Sequence, residues 1–140
     1  MRIVLDTAIL ITALRSSSGA AAEVVRLTLL GEFTILMDLK LVCEYLDVAL
    51  RPEQIEASGK THQEIEEIIE ALGSVASPVL VLERHRPLSQ DKNDDMVLDV
   101  AINGNADVLV TNNTKHFLKA AALFGIQVMT PRQLLTAIRI

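Results

Sequence analysis

Cysteine is nearly absent from this chain of 140 residues: Cys43 stands alone, so no intramolecular disulfide can form and nothing calls for an oxidising compartment. Aromatic residues are almost as scarce. Three Phe, one Tyr and no Trp leave few platforms on which single-stranded bases could stack, which argues against recognition dominated by stacking. Positive charge is in deficit as well. Thirteen Lys and Arg against eighteen Asp and Glu give a formal net charge of -5, which excludes a surface coated in basic charge but leaves room for a local basic patch. No run approaches the roughly 18 apolar residues of a membrane span, and the opening MRIVLD meets an acid too soon for the apolar core of a signal peptide. The expectation is a soluble, cytoplasmic protein. Repeats and low-complexity tracts are missing too; Ser16 to Gly19 and Ser58-Gly59 read as joints between elements rather than domain linkers.

What the chain has in quantity is aliphatic side chains. Half of its residues are hydrophobic, enough at this length for one ordinary domain with its own core. Ile3-Val4-Leu5 suits a short strand buried on both faces and closed by Asp6. Asp6 or Thr7 can cap a helix over Ala8 to Leu14. A second helix runs from Gly19 or Ala20 to Leu30, with Val24, Leu27 and Thr28 inward and Gly31 as its stop. Phe33 to Met37 is a second strand, and Asp38 caps a third helix reaching about Arg51. Thr61 to Gly73 is the plainest helix: Ile65, Ile68, Ile69 and Leu72 recur at helical spacing, while Glu64, Glu66, Glu67 and Glu70 form a solvated face. Val79 to Leu82 is expected as a third strand. A helix from about Asn93 to Asn103, a strand at Val108 to Val110 and a turn at Asn112-Asn113 follow. A last strand at Ile126 to Met129 leads into a helix opened by Pro131.

Short apolar strands alternating with helices call for a parallel sheet covered by helices on both sides. Ligands gather at the carboxyl ends of such strands. Asp6 falls there, as do Asn112 and Asn113, while Asp38 and Glu44 lie early in the helix after the second strand. Among the acids of DKNDDMVLD, Asp94 precedes Val97, Leu98 and Ala101 by three, four and seven residues, so it shares the apolar stripe at the helix's first turn and should point to the sheet rim. Asp91, Asp95 and Asp99 sit before the helix or one step around. They fit equally a simple complement to the helix dipole. Glu44 is open between two readings. With Lys40, Asp47 and Arg51 it forms a charged outer face of i,i+4 pairs; alternatively this face borders the rim and Glu44 reaches toward Asp6.

If Asp6, Glu44 and Asp94 converge, their like charges oppose ionisation unless a cation intervenes, and oxygen ligands without a Cys/His set select magnesium or manganese over zinc. Phosphodiester hydrolysis is the natural chemistry of such a site. The ordered set RIVLDT, Glu44 on the helix after the second strand, DKNDDMVLDVA, ADVLVTNNTKHF and the closing TPRQLL resembles the PIN-domain family, in particular the toxin-component branch related to VapC-type ribonucleases. The likeness runs over nearly the whole chain, residues 1–140 as one domain. It implies a three-layer α/β/α sandwich with a central parallel sheet and a Mg²⁺- or Mn²⁺-dependent ribonuclease. It places the acidic positions on Asp6, Glu44 and Asp94, and the fourth metal position on Asn113. It also implies a small antitoxin as partner and a homodimer formed through the early apolar helices.

Two departures from the family pattern stand out. Ala8 replaces the Asn or Ser that often steadies the first carboxylate, and Asn113 replaces an Asp, keeping a carbonyl acceptor but no charge. Thr7, Asp91, Asp95 and Asp99 are available as support, and Thr111 matches the pattern as a residue positioning water or phosphate. Arg84, Arg86, Lys92 and Lys115, with His116 and Lys119, are candidate phosphate contacts, though as surface cations they serve equally to balance nearby acids. His116, by its place at the start of a helix, reads as a packing or capping residue rather than a base. A haloacid-dehalogenase-like phosphatase would need a second Asp where Ala8 stands, and a receiver domain would need paired acids after the first strand. The rival is a catalytically weak or inactive PIN-fold module that binds RNA or a protein.

Overall fold

The computed structural model describes residues 1–83 and 92–139, with Lys92 and Asn93 described in backbone alone. β1 (Arg2–Leu5) lies at the centre of a five-stranded sheet ordered β3-β2-β1-β4-β5, with β2 at Thr34–Met37, β3 at Ser77–Pro78, β4 at Val108–Val110 and β5 at Gln127–Met129. Every pairing is parallel, and the register sets Ile3 against Ile35 on one side and Leu5 against Val110 on the other. Neighbours on both edges, and helices above and below, explain why Ile3, Val4 and Leu5 are all fully buried.

The helices are α1 (Thr7–Arg15), α2 (Ala20–Leu29), α3 (Leu39–Ala49), α4 (Pro52–Ser58), α5 (His62–Val75), α6 (Lys92–Asn103), α7 (Thr114–Leu123) and α8 (Pro131–Ile138). With the sheet they make a three-layer α/β/α sandwich. Local chemistry sets their ends. Thr61 and Glu64 close a reciprocal capping box on α5, as Thr130 and Gln133 do on α8. The carboxylate of Asp38 accepts from the Leu41 N–H and caps α3, as its sequence position implies. On α5 the inward residues are Ile65, Ile69 and Leu72. α6 packs on β1 and β2 and touches α3 and α7, so its first turn lies over the carboxyl ends of the central strands. No single helix among the described residues is long and apolar enough to cross a membrane.

The amino end of β1 is pinned by contacts to the turn before β4. The Arg2 guanidinium donates twice to the Gly104 carbonyl, at 3.0 and 2.8 Å, and its backbone N–H donates to the Asp107 carboxylate at 2.8 Å. The turn from α6 into β4 is thereby tied to the central strand.

The third strand differs from expectation. It falls at Ser77–Pro78, beside Leu36 and Met37; the Val79 N–H still donates to the Met37 carbonyl at 2.8 Å, and Leu80 to Leu82 run on outside the strand with Leu80 74% and Leu82 78% exposed. The reason is a competing partner. The Asn103 side chain at the end of α6 accepts from the N–H groups of Leu82 and Glu83 and donates to the Glu83 carbonyl, all within 3.0 Å. Hydrogen bonds that a strand would give to a neighbour thus go to a helix end. The close seating depends on Gly104: a Cβ there would meet Val79 Cγ2 at 2.8 Å and Leu36 Cδ1 at 2.9 Å. Gly104→Ala is therefore expected to lower stability by about 1–3 kcal/mol through overpacking, read as an earlier urea midpoint at unchanged m value; an unchanged midpoint would show that the contact yields freely.

Candidate active site

Asp6 follows the last residue of β1 and extends the ladder, its N–H donating to the Val110 carbonyl at 2.9 Å. It stands at the N-cap position of α1, yet its carboxylate makes no capping bond. Instead Oδ2 accepts from the Thr111 hydroxyl at 2.8 Å. Asp6 is 8% exposed and Thr111 fully buried. The Thr111 oxygen in turn accepts from the Asn113 N–H at 3.0 Å, which leaves the hydroxyl hydrogen aimed at the carboxylate. The steadying donor that Ala8 lacks is supplied from the end of β4.

Tyr45 was not singled out in the sequence, although the one Tyr of an aliphatic chain is a signal: a buried phenol needs a partner. Its hydroxyl donates to the Leu5 carbonyl at 2.5 Å, the residue directly before Asp6. Burial pushes its pKa far up, and the negative charges of Asp6 and Asp38 push it further. Tyr45 thus remains a proton donor under all ordinary conditions. Glu44 precedes it on α3 and is half-buried, one helical step around from the side chain that touches the end of β1.

Asp94 and Asp95 lie in the first turn of α6. The Asp94 side chain is 14% exposed, and the His116 Nδ1 approaches its Oδ2 at 3.5 Å. His116 therefore sits beside a candidate ligand, not merely in a packing or capping place. Asp95 and Asp99 are more buried than the outer positions expected of dipole complements, at 6% and 5%. Asn112 and Asn113 are exposed on the turn between β4 and α7. Thr7 is half-buried at the start of α1, and Lys115 is exposed at the start of α7. Arg84, Arg86 and Asp91, together with the side chain of Lys92, lie outside the described residues.

The structure thus brings Asp6 to Thr111 and Asp94 to His116, and both contacts originate in one short turn, Thr111 to His116. The donors fit a hard divalent cation in type, being carboxylates with an amide and a hydroxyl. They are not drawn into a closed set: among the described residues no three His, Cys, Asp or Glu side chains are grouped to hold a metal ion.

A parallel α/β/α domain with carboxylates at the carboxyl ends of its central strands defines the class. The family model of the PIN domain matches residues 2–115, and the chain belongs to the PIN-domain family. Among solved structures it is similar to the crystal structure of VapBC2 from Rickettsia felis bound to a DNA fragment from their promoter. That likeness has a TM-score of 0.58 at 17% identity and covers 91% of this chain and 97% of that one, and it speaks for the fold. Curated proteins offer no match.

Two expectations follow from the buried hydroxyls. Thr111→Val removes the donor to Asp6 and the acceptor for Asn113, and should destabilise by about 1–3 kcal/mol, with Thr111→Ser recovering most of it; equal losses in both variants would count against the relay. For Tyr45 the folded pKa lies above the unfolded one, so its contribution is fully present below about pH 10 and is lost as pH rises beyond it. Tyrosinate absorbance, arising from the single Tyr, should appear only with unfolding. In Tyr45→Phe the alkaline loss of stability attributable to this group, up to about 1.4 kcal/mol per pH unit, should vanish.

Proposed function

We propose that this chain is a Mg²⁺- or Mn²⁺-dependent endoribonuclease that hydrolyses phosphodiester bonds of single-stranded RNA, acting as the toxin of a toxin-antitoxin pair. The observation that carries the reading is the turn from Thr111 to His116, which touches Asp6 through one end and Asp94 through the other. Family membership supports the nuclease class, and the fold likeness to VapBC2 supports looking for an antitoxin partner; a homodimer through the early apolar helices is part of the same proposal.

Asp6, Glu44 and Asp94, with the Asn113 side-chain carbonyl, are the residues that would hold the cation. When bound, Mg²⁺ or Mn²⁺ supplies a water of lowered pKa and offsets charge developing on a phosphodiester oxygen. The chain's own part is positional. Thr111 orients the Asp6 carboxylate through one of its oxygens. Tyr45 holds the backbone before it, and His116 steadies Asp94. Burial of Asp6 keeps bulk water from competing for its carboxylate.

A second reading, a catalytically weak or inactive module that binds RNA or a protein, is favoured by two specific features: the uncharged Asn113, and the open spacing of the acids among the described residues. One pair of measurements separates the two. The ribonuclease should cleave single-stranded RNA with Mg²⁺ or Mn²⁺ and stop on Asp94→Asn or with excess chelator; cleavage that persists in either condition sinks the assignment. Saturating Mn²⁺ should also raise the melting temperature, by the equivalent of about 2.7 kcal/mol at one hundred times the dissociation constant, whereas the inactive module should show no shift. For the toxin role, the product of the adjacent upstream reading frame should co-purify with the chain; failure to bind it counts against that role.

A further inference from the structure

α7 leaves the rim at its first turn, and its exposed face departs from the character of the chain as a whole. In a protein of net charge -5, the sequence TKHFLKAAAL carries two Lys and a His and no Asp or Glu. Phe117, Ala120 and Ala121 are buried beneath it. Lys115, Leu118, Lys119 and Ala122 recur at i, i+3, i+4 and i+7, and all four are exposed. The face therefore reads cation, apolar, cation, with Leu118 51% exposed between the two lysines.

Several other described cations are committed within the molecule. Arg2 donates to Gly104, Arg15 to Gln54, Arg26 to Glu23, Arg51 to Asp47 and Lys60 to the Leu14 carbonyl. Lys115 and Lys119 have no hydrogen bond or ion pair among the described residues. They also stand in a particular place. His116, between them in sequence, meets Asp94 at 3.5 Å, so the amino end of α7 is held at the acidic rim.

We infer that the Lys115–Leu118–Lys119 face of α7 is a binding track for the sugar-phosphate backbone of single-stranded RNA, leading the strand to the acidic rim. The inference rests on the ribonuclease reading for why a strand should pass this way. The physical need is plain: a cluster of carboxylates repels a polyanion, so approach requires cations beside the cluster rather than within it. Two ammonium groups one helical turn apart, separated by about 6 Å along the axis, offer contacts to neighbouring phosphates. Leu118 offers apolar surface to the ribose or base between them. With so few aromatic residues in the chain, recognition of this kind is electrostatic and indifferent to sequence.

The test measures binding apart from cleavage. Fluorescence anisotropy of a labelled, mixed-sequence, single-stranded oligoribonucleotide is followed in excess chelator across a salt series. The proteins are the full chain, Lys115→Ala/Lys119→Ala, and Arg132→Ala/Arg139→Ala as an equal change of charge at the two ends of α8. The expected result is a slope of log affinity against log salt that is shallower by about 1.4 in the lysine variant, two contacts at about 0.7 each for a single strand. The arginine variant should keep the original slope, and both should melt with the parent. An unchanged slope in the lysine variant, an equal loss in the arginine variant, or no RNA binding by the parent chain overturns the track. Its failure is distinct from that of the ribonuclease: a chain that cleaves RNA with the slope untouched loses only the track. One that binds through the lysines yet never cleaves loses only the nuclease.

Discussion

A carboxylate buried at the end of a strand that has neighbours on both sides is costly unless something donates to it, and this constraint organises much of the fold. Asp6 meets it with a hydroxyl from the next strand over, and that hydroxyl is itself oriented by a backbone N–H two residues on. The Leu5 carbonyl just before it is taken by a phenol from α3. At the other end of the same strand Arg2 ties down the turn between α6 and β4. β1 is thus fixed at both ends by polar contacts from three other elements, while its middle is held by the ladders to β2 and β4 and by apolar burial. The strands and helices that supply those contacts are the ones that carry the remaining acids.

How much of this was legible in the sequence depends on the range of the interaction. α5 and the first turn of α6 could be read because their periodicity is local: Ile65, Ile69 and Leu72 define one stripe, and Asp94 shares another with Val97, Leu98 and Ala101. The caps at Asp38 and Thr61 are legible for the same reason. Leu80 to Leu82 misled because branched and aliphatic residues announce an extended chain without saying what its backbone will bond to; Val79 still bonds Met37, but Asn103 takes the N–H groups of Leu82 and Glu83. The contacts that shape the rim join Tyr45 to Leu5 across 40 residues and Thr111 to Asp6 across 105. No periodicity carries information over such spans. The family resemblance indicated the positions; what holds them emerged only from the fold.

The two departures from the family pattern look different once the contacts are known. Ala8 is exposed on α1, and its carbonyl accepts from the Thr12 hydroxyl within the helix, so its missing side chain leaves no gap beside Asp6. In this chain Thr111 steadies Asp6. Asn113 contributes through its backbone N–H, which sets the Thr111 hydroxyl. Any residue but Pro provides that N–H, so an acid at position 113 would serve it equally. Substituting Asn for Asp therefore removes charge from the rim without disturbing the support of Asp6.

Removing that charge has two opposed consequences. A rim with one carboxylate fewer holds a second cation less well, since oxygen ligands bind divalent ions largely through their charge. It also repels a phosphodiester less, and lowers the mutual repulsion that otherwise favours protonation of the remaining acids. The position lies directly before α7, two residues ahead of Lys115. From Thr111 to Leu123 the chain contains no Asp or Glu at all. The strand-to-helix turn that touches both Asp6 and Asp94 is thus itself free of negative charge.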